Sequence, residues 1–224
     1  MNDKSVQRAT TQLKEALREI HMTAGLDEPS PDGAPRSLAI GVTSPRSGDG
    51  KTTVAMALAS SLITDFEAEV VLVDADLHSH SMGREYGLES SDGLTEVLAG
   101  TTTLEAIRHH MPVQGMSVIS AGRGTGDPSG LARSERLVSL LEAVKSNSQY
   151  VILDLPPTLN SMTAPIVAKR TDGVVVVVRA GETSVVELER TLSLLRGARI
   201  LGVIINRSKS RIPAFVERAL NLHG

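Results

Sequence analysis

Two glycines, a lysine and a threonine in TSPRSGDGKTTVAMALAS, residues 43–60, have the types and spacing to hold a phosphate. Gly48 and Gly50 let backbone N–H groups come close to an anion, Lys51 would reach the outer phosphates of a nucleotide, and the Thr52 hydroxyl is a ligand for Mg2+. Ser47, Asp49 and Thr53 complete the stretch expected to wrap the phosphates. The strict form of such a loop, G-x-x-x-x-G-K-[ST], places a glycine where this chain has Pro45. Two other stretches supply carboxylates. VVLVDADLHSH (70–80) ends an apolar run in Asp74 and Asp76, and YVILDLPP (150–157) ends another in Asp154. A nucleotide-bound Mg2+ takes one or two carboxylates. A single aspartate after a strand is more often a turn former or helix cap. Three of them beside a phosphate loop argue for one shared site, with the Thr52 hydroxyl and one or two of the carboxylates on the metal.

The elements that must position these residues are legible as alternation. Strands are expected at 38–43, 69–73, 115–120, 150–154, 173–179 and 199–205. Helices are expected at 52–64, 93–109 (broken near Gly100), 134–147, 161–170, 183–196 and 212–222. The strands are continuous apolar runs, VVVVV at 174–178 above all, and such runs mark strands buried on both faces of a parallel sheet. The expected fold is α/β, a doubly wound, mostly parallel sheet flanked by helices. Ligands of that architecture sit beyond the carboxyl ends of the strands, where the loop and the aspartates converge. Ahead of it, residues 1–22 carry Val6, Ala9, Leu13, Ala16, Leu17 and Ile20 at helical spacing, and residues 23–37 read as a Pro/Gly-rich linker. The organisation is therefore an N-terminal amphipathic helix, a linker, and one nucleotide domain over 38–224.

Bulk properties narrow the options. Aromatic residues are 2% of the 224, so the core must be built from Val, Leu, Ile and Ala. A net charge of −3 gives no global reason to bind nucleic acid. With no cysteine, thiolate metal sites and cysteine nucleophiles are excluded. No apolar run approaches the length of a membrane span and the N-terminus shows no apolar signal region, so a cytoplasmic protein is expected.

G-D-G-K-T, V-D-A-D-L and V-I-L-D-L-P-P, in that order, resemble the bacterial tyrosine kinase (BY-kinase) family, P-loop proteins similar to the MinD/ParA ATPases. GLTEVLAGTTTLEAI (93–107), MSVISAG (116–122), TDGVVVVVRAGET (171–183) and ILGVIINR (200–207) extend the resemblance over roughly residues 36 to 210. It implies an ATP/ADP- and Mg2+-binding enzyme that regulates capsule or exopolysaccharide synthesis or export. It also implies a partner, the cytoplasmic segment of a membrane polysaccharide co-polymerase (chain-length regulator), homo-oligomers as dimers or rings, and a place at the inner face of the cell membrane. The family's loop resembles S-x-P-G-E-G-K-[ST], which accounts for Pro45; Ser47 stands for its proline and Asp49 for its glutamate. By the same resemblance Lys51 holds phosphate, Asp76 and Asp154 assist the metal, Asp74 orients or deprotonates the attacking hydroxyl or water, Asn206 contacts adenine and Arg207 stacks nearby. Arg46 falls where MinD/ParA-type ATPases carry a lysine that reaches a partner's nucleotide.

The chain departs from the family's pattern in several places. His78 and His80 stand where the family shows arginine and proline; two such histidines in a loop read as exposed polar residues. Glu15, Arg18 and His21 resemble its oligomerisation motif with the last arginine changed. The two tyrosines are Tyr86 and Tyr150, and RIPAFVERALNLHG at the C-terminus carries none, so tail autophosphorylation is not expected. The glycine-rich loop 121–134 has no assigned role. Three readings stay open: an ATP-hydrolysing switch of the BY-kinase type, a tyrosine kinase acting on another protein, and a MinD/ParA-like positioning switch.

Overall fold

A computed structural model describes residues 37–124 and 127–207. The expected helix at 1–22, the linker up to residue 36 and the expected helix at 212–222 lie outside the described residues. Among the described residues seven strands form one sheet in the order β3-β4-β2-β5-β1-β6-β7. They are β1 (Leu38–Thr43), β2 (Val70–Asp74), β3 (His109–His110), β4 (Met116–Ile119), β5 (Tyr150–Asp154), β6 (Gly173–Arg179) and β7 (Ile200–Asn206). All neighbours run parallel except β3, which pairs antiparallel with β4. The helices are α1 (Lys51–Phe66), α2 (Ser81–Tyr86), α3 (Leu94–Ala99), α4 (Leu104–Ile107), α5 (Pro128–Arg133), α6 (Glu135–Lys145), α7 (Thr163–Ala168) and α8 (Val185–Leu194). Among the described residues no helix is long and apolar enough to cross a membrane.

The apolar strands divide their side chains between two cores. Ile40, Val42, Val70, Leu72, Ile152, Val175 and Val177 meet Val54, Ala55, Leu58, Ala59 and Leu62 of α1 on one face. Val71, Val73, Val151, Leu153, Val174 and Val176 meet Leu137, Leu140, Leu141 and Val144 of α6 and Ala164, Val167 and Ala168 of α7 on the other. Burial on both faces explains why β1, β2, β5 and β6 carry no polar stripe. β7 is the exception. It lies at the edge of the sheet, and Ile205 is 64% exposed.

Three elements depart from the sequence expectation. The expected helix at 93–109 is two short helices and a strand. Gly100, at φ 80°, caps α3, and the Thr103 hydroxyl then accepts the N–H of Ala106 to start α4. Its last residue, His109, joins His110 in a strand that pairs with β4. α2 and α5 fall where no element was expected; each has six residues, too few for helical spacing to declare itself.

Candidate functional site

β1 lies between β5 and β6, and its carboxyl end releases the chain into the loop 44–50. The loop is fastened before it turns. The Thr43 hydroxyl donates to the Pro156 carbonyl (2.8 Å), the Thr158 N–H to the Ser44 carbonyl (2.8 Å) and the Leu159 N–H to the Pro45 carbonyl (3.2 Å). Pro45 thus accepts without needing a donor of its own, which suits a residue with no N–H. Gly48 and Gly50 take φ of 87° and 99°, the left-handed region where a side chain is strained. Asp49 is 4% exposed and turned into the loop, accepting from the Arg46 N–H at 2.9 Å and the Thr183 hydroxyl at 3.4 Å. Ser47 and Thr53 are exposed at the loop and the first turn of α1.

Lys51 and Thr52 open α1 beneath the loop. The Lys51 ammonium, 6% exposed, reaches Asp76 Oδ2 at 2.9 Å and Asp154 Oδ1 at 3.4 Å. The Thr52 hydroxyl donates to Asp154 Oδ2 at 2.5 Å. Asp154 and Asp74 are direct neighbours in the β2–β5 register, so two buried carboxylates share one strand-end position. Asp74 accepts backbone N–H groups from Asp76 (3.2 Å) and Met82 (3.1 Å). Asp76 accepts from the N–H groups of His78 and Ser79. The aspartates expected from the sequence therefore do converge on the lysine of the loop.

The electrostatics follow from crowding three carboxylates around one ammonium. Burial, with the Asp154 charge behind it, pushes the Asp74 carboxyl up to about 7; the two backbone donors restrain it. Burial would also raise Asp76, but the Lys51 ammonium outweighs it and holds Asp76 below the usual carboxylate range. Burial raises Asp154, with Lys51 and Thr52 opposing. Burial works against the charge on Lys51, and the Asp154 and Asp76 carboxylates overcome it, so Lys51 stays protonated.

These residues fit a Mg2+-nucleotide. A hydroxyl and carboxylate oxygens are hard donors of the kind Mg2+ prefers. The loop glycines leave backbone free to face phosphate, and a Cβ at Gly48 would meet nothing within 4 Å. The lysine is held by anions that phosphate oxygens can replace. Among the described residues no group of three His, Cys, Asp or Glu could hold a metal alone, His78 and His80 included.

At the far side of the loop, Asn206 Nδ2 donates to the Asp49 carbonyl at 2.9 Å, and Asn206 Oδ1 accepts the Arg207 N–H at 2.8 Å. The amide expected to contact adenine thus also ties β7 to the phosphate loop. Arg207 is exposed, with φ 56°. Arg46 pairs with Glu187 of α8 in its own chain. Sequence reasoning missed Glu187, Thr183 and Ser81, whose hydroxyl lies 3.2 Å from that of Thr52. Thr183 lies in the loop after β6, Ser81 opens α2 and Glu187 sits in the first turn of α8, and none carries a signal beyond being polar near a strand end.

The profile of a family described as "ParA: NUBPL iron-transfer P-loop NTPase" matches residues 37–219. The chain is 32% identical over 173 residues to the tyrosine-protein kinase ptk of Acinetobacter johnsonii, covering 76% of this chain and 24% of that protein. It spans about a quarter of the length of the first relatives it matches. It is 29% identical over 179 residues to the tyrosine-protein kinase CpsD of Streptococcus agalactiae, covering 79% of this chain and 78% of that one. Among solved structures, the kinase domain of the Escherichia coli tyrosine kinase ETK is similar with a TM-score of 0.73 at 28% identity, over 79% of this chain and 71% of that chain.

Proposed function

The chain belongs to the ParA-type P-loop NTPases, in their bacterial tyrosine kinase branch, and on that premise we propose that it is a Mg-ATP-dependent ATPase serving capsule or exopolysaccharide synthesis or export. The observation that carries the reading is the Lys51 ammonium lying between Asp76 and Asp154, with the Thr52 hydroxyl on the same Asp154. Lys51 and the N–H groups of residues 47–53 bind the phosphates. Thr52, Asp76 and Asp154 would hold the cation, which would supply positive charge against the negative charge of the phosphates. Asp74 takes the proton of the attacking oxygen as the new P–O bond forms and the bond to the β-phosphate breaks. A carboxyl whose pKa is about 7 exchanges protons readily near neutral pH. Asn206 steadies the loop from β7 and contacts the base, with Arg207 beside it.

The acceptor is water in this reading. A second reading makes it a tyrosine of another protein, favoured by the kinase names of the relatives; the same residues serve both, because the electrostatic demands of the transfer are shared. The partner in either case is the cytoplasmic segment of a membrane polysaccharide co-polymerase, and the active form is a dimer or ring acting at the inner face of the membrane.

The test is incubation with γ-labelled ATP and Mg2+, with and without that segment, counting free phosphate and protein-bound label in parallel. Phosphate release without tyrosine label is the expected result. Label on the segment or on Tyr86 would replace the ATPase reading by the kinase one. Neither product, with Lys51→Ala indistinguishable from the native chain in nucleotide binding, would remove the site assignment itself.

A further inference from the structure

Three oxygens from three separate segments meet beside Lys51. Thr52 Oγ1 comes from the start of α1, Asp154 Oδ2 from the end of β5, and Ser81 Oγ from the start of α2. Thr52 Oγ1 and Asp154 Oδ2 are 2.5 Å apart, Thr52 Oγ1 and Ser81 Oγ 3.2 Å, and Ser81 Oγ and Asp154 Oδ2 3.5 Å. Ser81 Oγ also accepts from the Ser79 hydroxyl at 3.4 Å. Adjacent oxygens around an octahedral Mg2+, with bonds of roughly 2.0–2.1 Å, lie about 2.9 Å apart. The three separations bracket that edge length. Two of the oxygens already belong to the cation set under the function proposed above; the third does not.

From this juxtaposition we propose that the Ser81 hydroxyl is a further member of the cation site, binding the nucleotide-bound Mg2+ directly or through one of the waters it keeps. The chemistry suits a serine. A neutral hydroxyl adds a hard oxygen without adding a fourth negative charge to Asp74, Asp76 and Asp154. Ser81 is partly exposed, so the oxygen is open to an incoming ligand, whereas Asp154 is fully buried. The inference rests on the Mg-nucleotide reading of this site, and it deepens that reading by assigning a residue of α2 to it.

The competing explanation is that Ser81 only fastens α2 to the phosphate loop. The two differ in what they do to the Mg2+ dependence of nucleotide affinity. A fluorescent ADP derivative is titrated onto the full chain in Mg2+ and in EDTA, for the native protein and for Ser81→Ala, Ser81→Thr and Ser81→Val. Thr and Val differ there by a hydroxyl against a methyl at nearly equal volume, so that pair carries the test if the alanine variant folds poorly. The expected result is unchanged affinity in EDTA for all variants, with the Mg2+ enhancement reduced about five- to tenfold in Ala and Val and kept in Thr. An enhancement that survives intact in Ala and Val would overturn the proposal, as would an equal loss with and without Mg2+. A native chain whose ADP affinity ignores Mg2+ would overturn the underlying site reading as well, and so is distinct from failure of Ser81 alone.

Discussion

Lys51 satisfies two buried carboxylates, and its removal should show that in two ways. Lys51→Met would leave Asp76 and Asp154 in the interior without a counter-charge, at a cost of about 3–5 kcal/mol. The fold holds Asp76 below the usual carboxylate range, so its contribution is present above that range and lost as pH falls through the folded value. Melting curves of the nucleotide-free variant should therefore show the deficit full from pH 8 down to about 5 and shrinking only as pH falls below about 4. Asp74 has the opposite sign. Its folded pKa of about 7 lies above the ordinary carboxyl value of 3.8, so its contribution is full below the lower value and is lost as pH rises through the upper one. Asp74→Asn should melt higher than the native chain at pH 8 and level with it near pH 4. Its turnover should fall about 10²- to 10³-fold and lose a rise centred near pH 7; a variant that keeps that rise would remove Asp74 from the proton transfer. The carboxylates were legible because each ends an apolar run, and Lys51 and Thr52 because glycines precede them. Ser81 and Glu187 were not, because a serine or glutamate acquires meaning only from what the fold brings within hydrogen-bonding reach.

The loop between β1 and α1 depends on two glycines for different reasons. Gly48 needs its φ of 87° and has open space around it, whereas a Cβ at Gly50 would lie 2.0 Å from Asn206 Nδ2. Gly48→Ala should cost about 1–2 kcal/mol of backbone strain. Gly50→Ala adds the collision and displaces the amide that holds the Asp49 carbonyl. Thermal melts of Gly50→Ala, Asn206→Ala and the double variant should be non-additive, the double losing less than the sum. Additive losses would mean the loop shifts clear of Asn206 on its own. The long elements were legible because they are long: β1, β5 and β6 match their expected bounds, and α1 runs only a few residues past them. The pieces that escaped notice, α2, α5 and β3, have six, six and two residues. β7 was read as buried on both faces like its neighbours. Its apolar run looks the same in sequence, and only the strand order shows that it has a single neighbour among the described residues.

Across the molecule, the phosphate loop is tied to the last third of the chain as well as to its own strand. Arg46 pairs with Glu187, the Thr183 hydroxyl donates to Asp49, Asn206 donates to the Asp49 carbonyl, and the buried hydroxyls of Thr158 and Thr191 meet at 2.9 Å. Ordering of the loop by Mg-nucleotide should therefore spread to the start of α8. Hydrogen exchange should slow at residues 46–52 and, with it, at 183–188; slowing confined to the loop would mean that these contacts do not transmit. The α/β class was legible from alternation alone. The strand order was not, since no local pattern says that β1 will sit inside the sheet between β5 and β6. That interior place bears on how the chain is made. β1 pairs with β5 and β6, and Leu38 finds its neighbour Tyr150 about 110 residues later in the chain. At roughly 5–20 residues per second of synthesis, that is a wait of about 5–20 s. Throughout it, the nascent chain carries Leu38–Val42 with neither flanking strand, and a Lys51 whose Asp154 has not been translated. Growth from the ribosome thus leaves the half that carries the phosphate loop with exposed strand edges until the later half arrives to close the sheet around it.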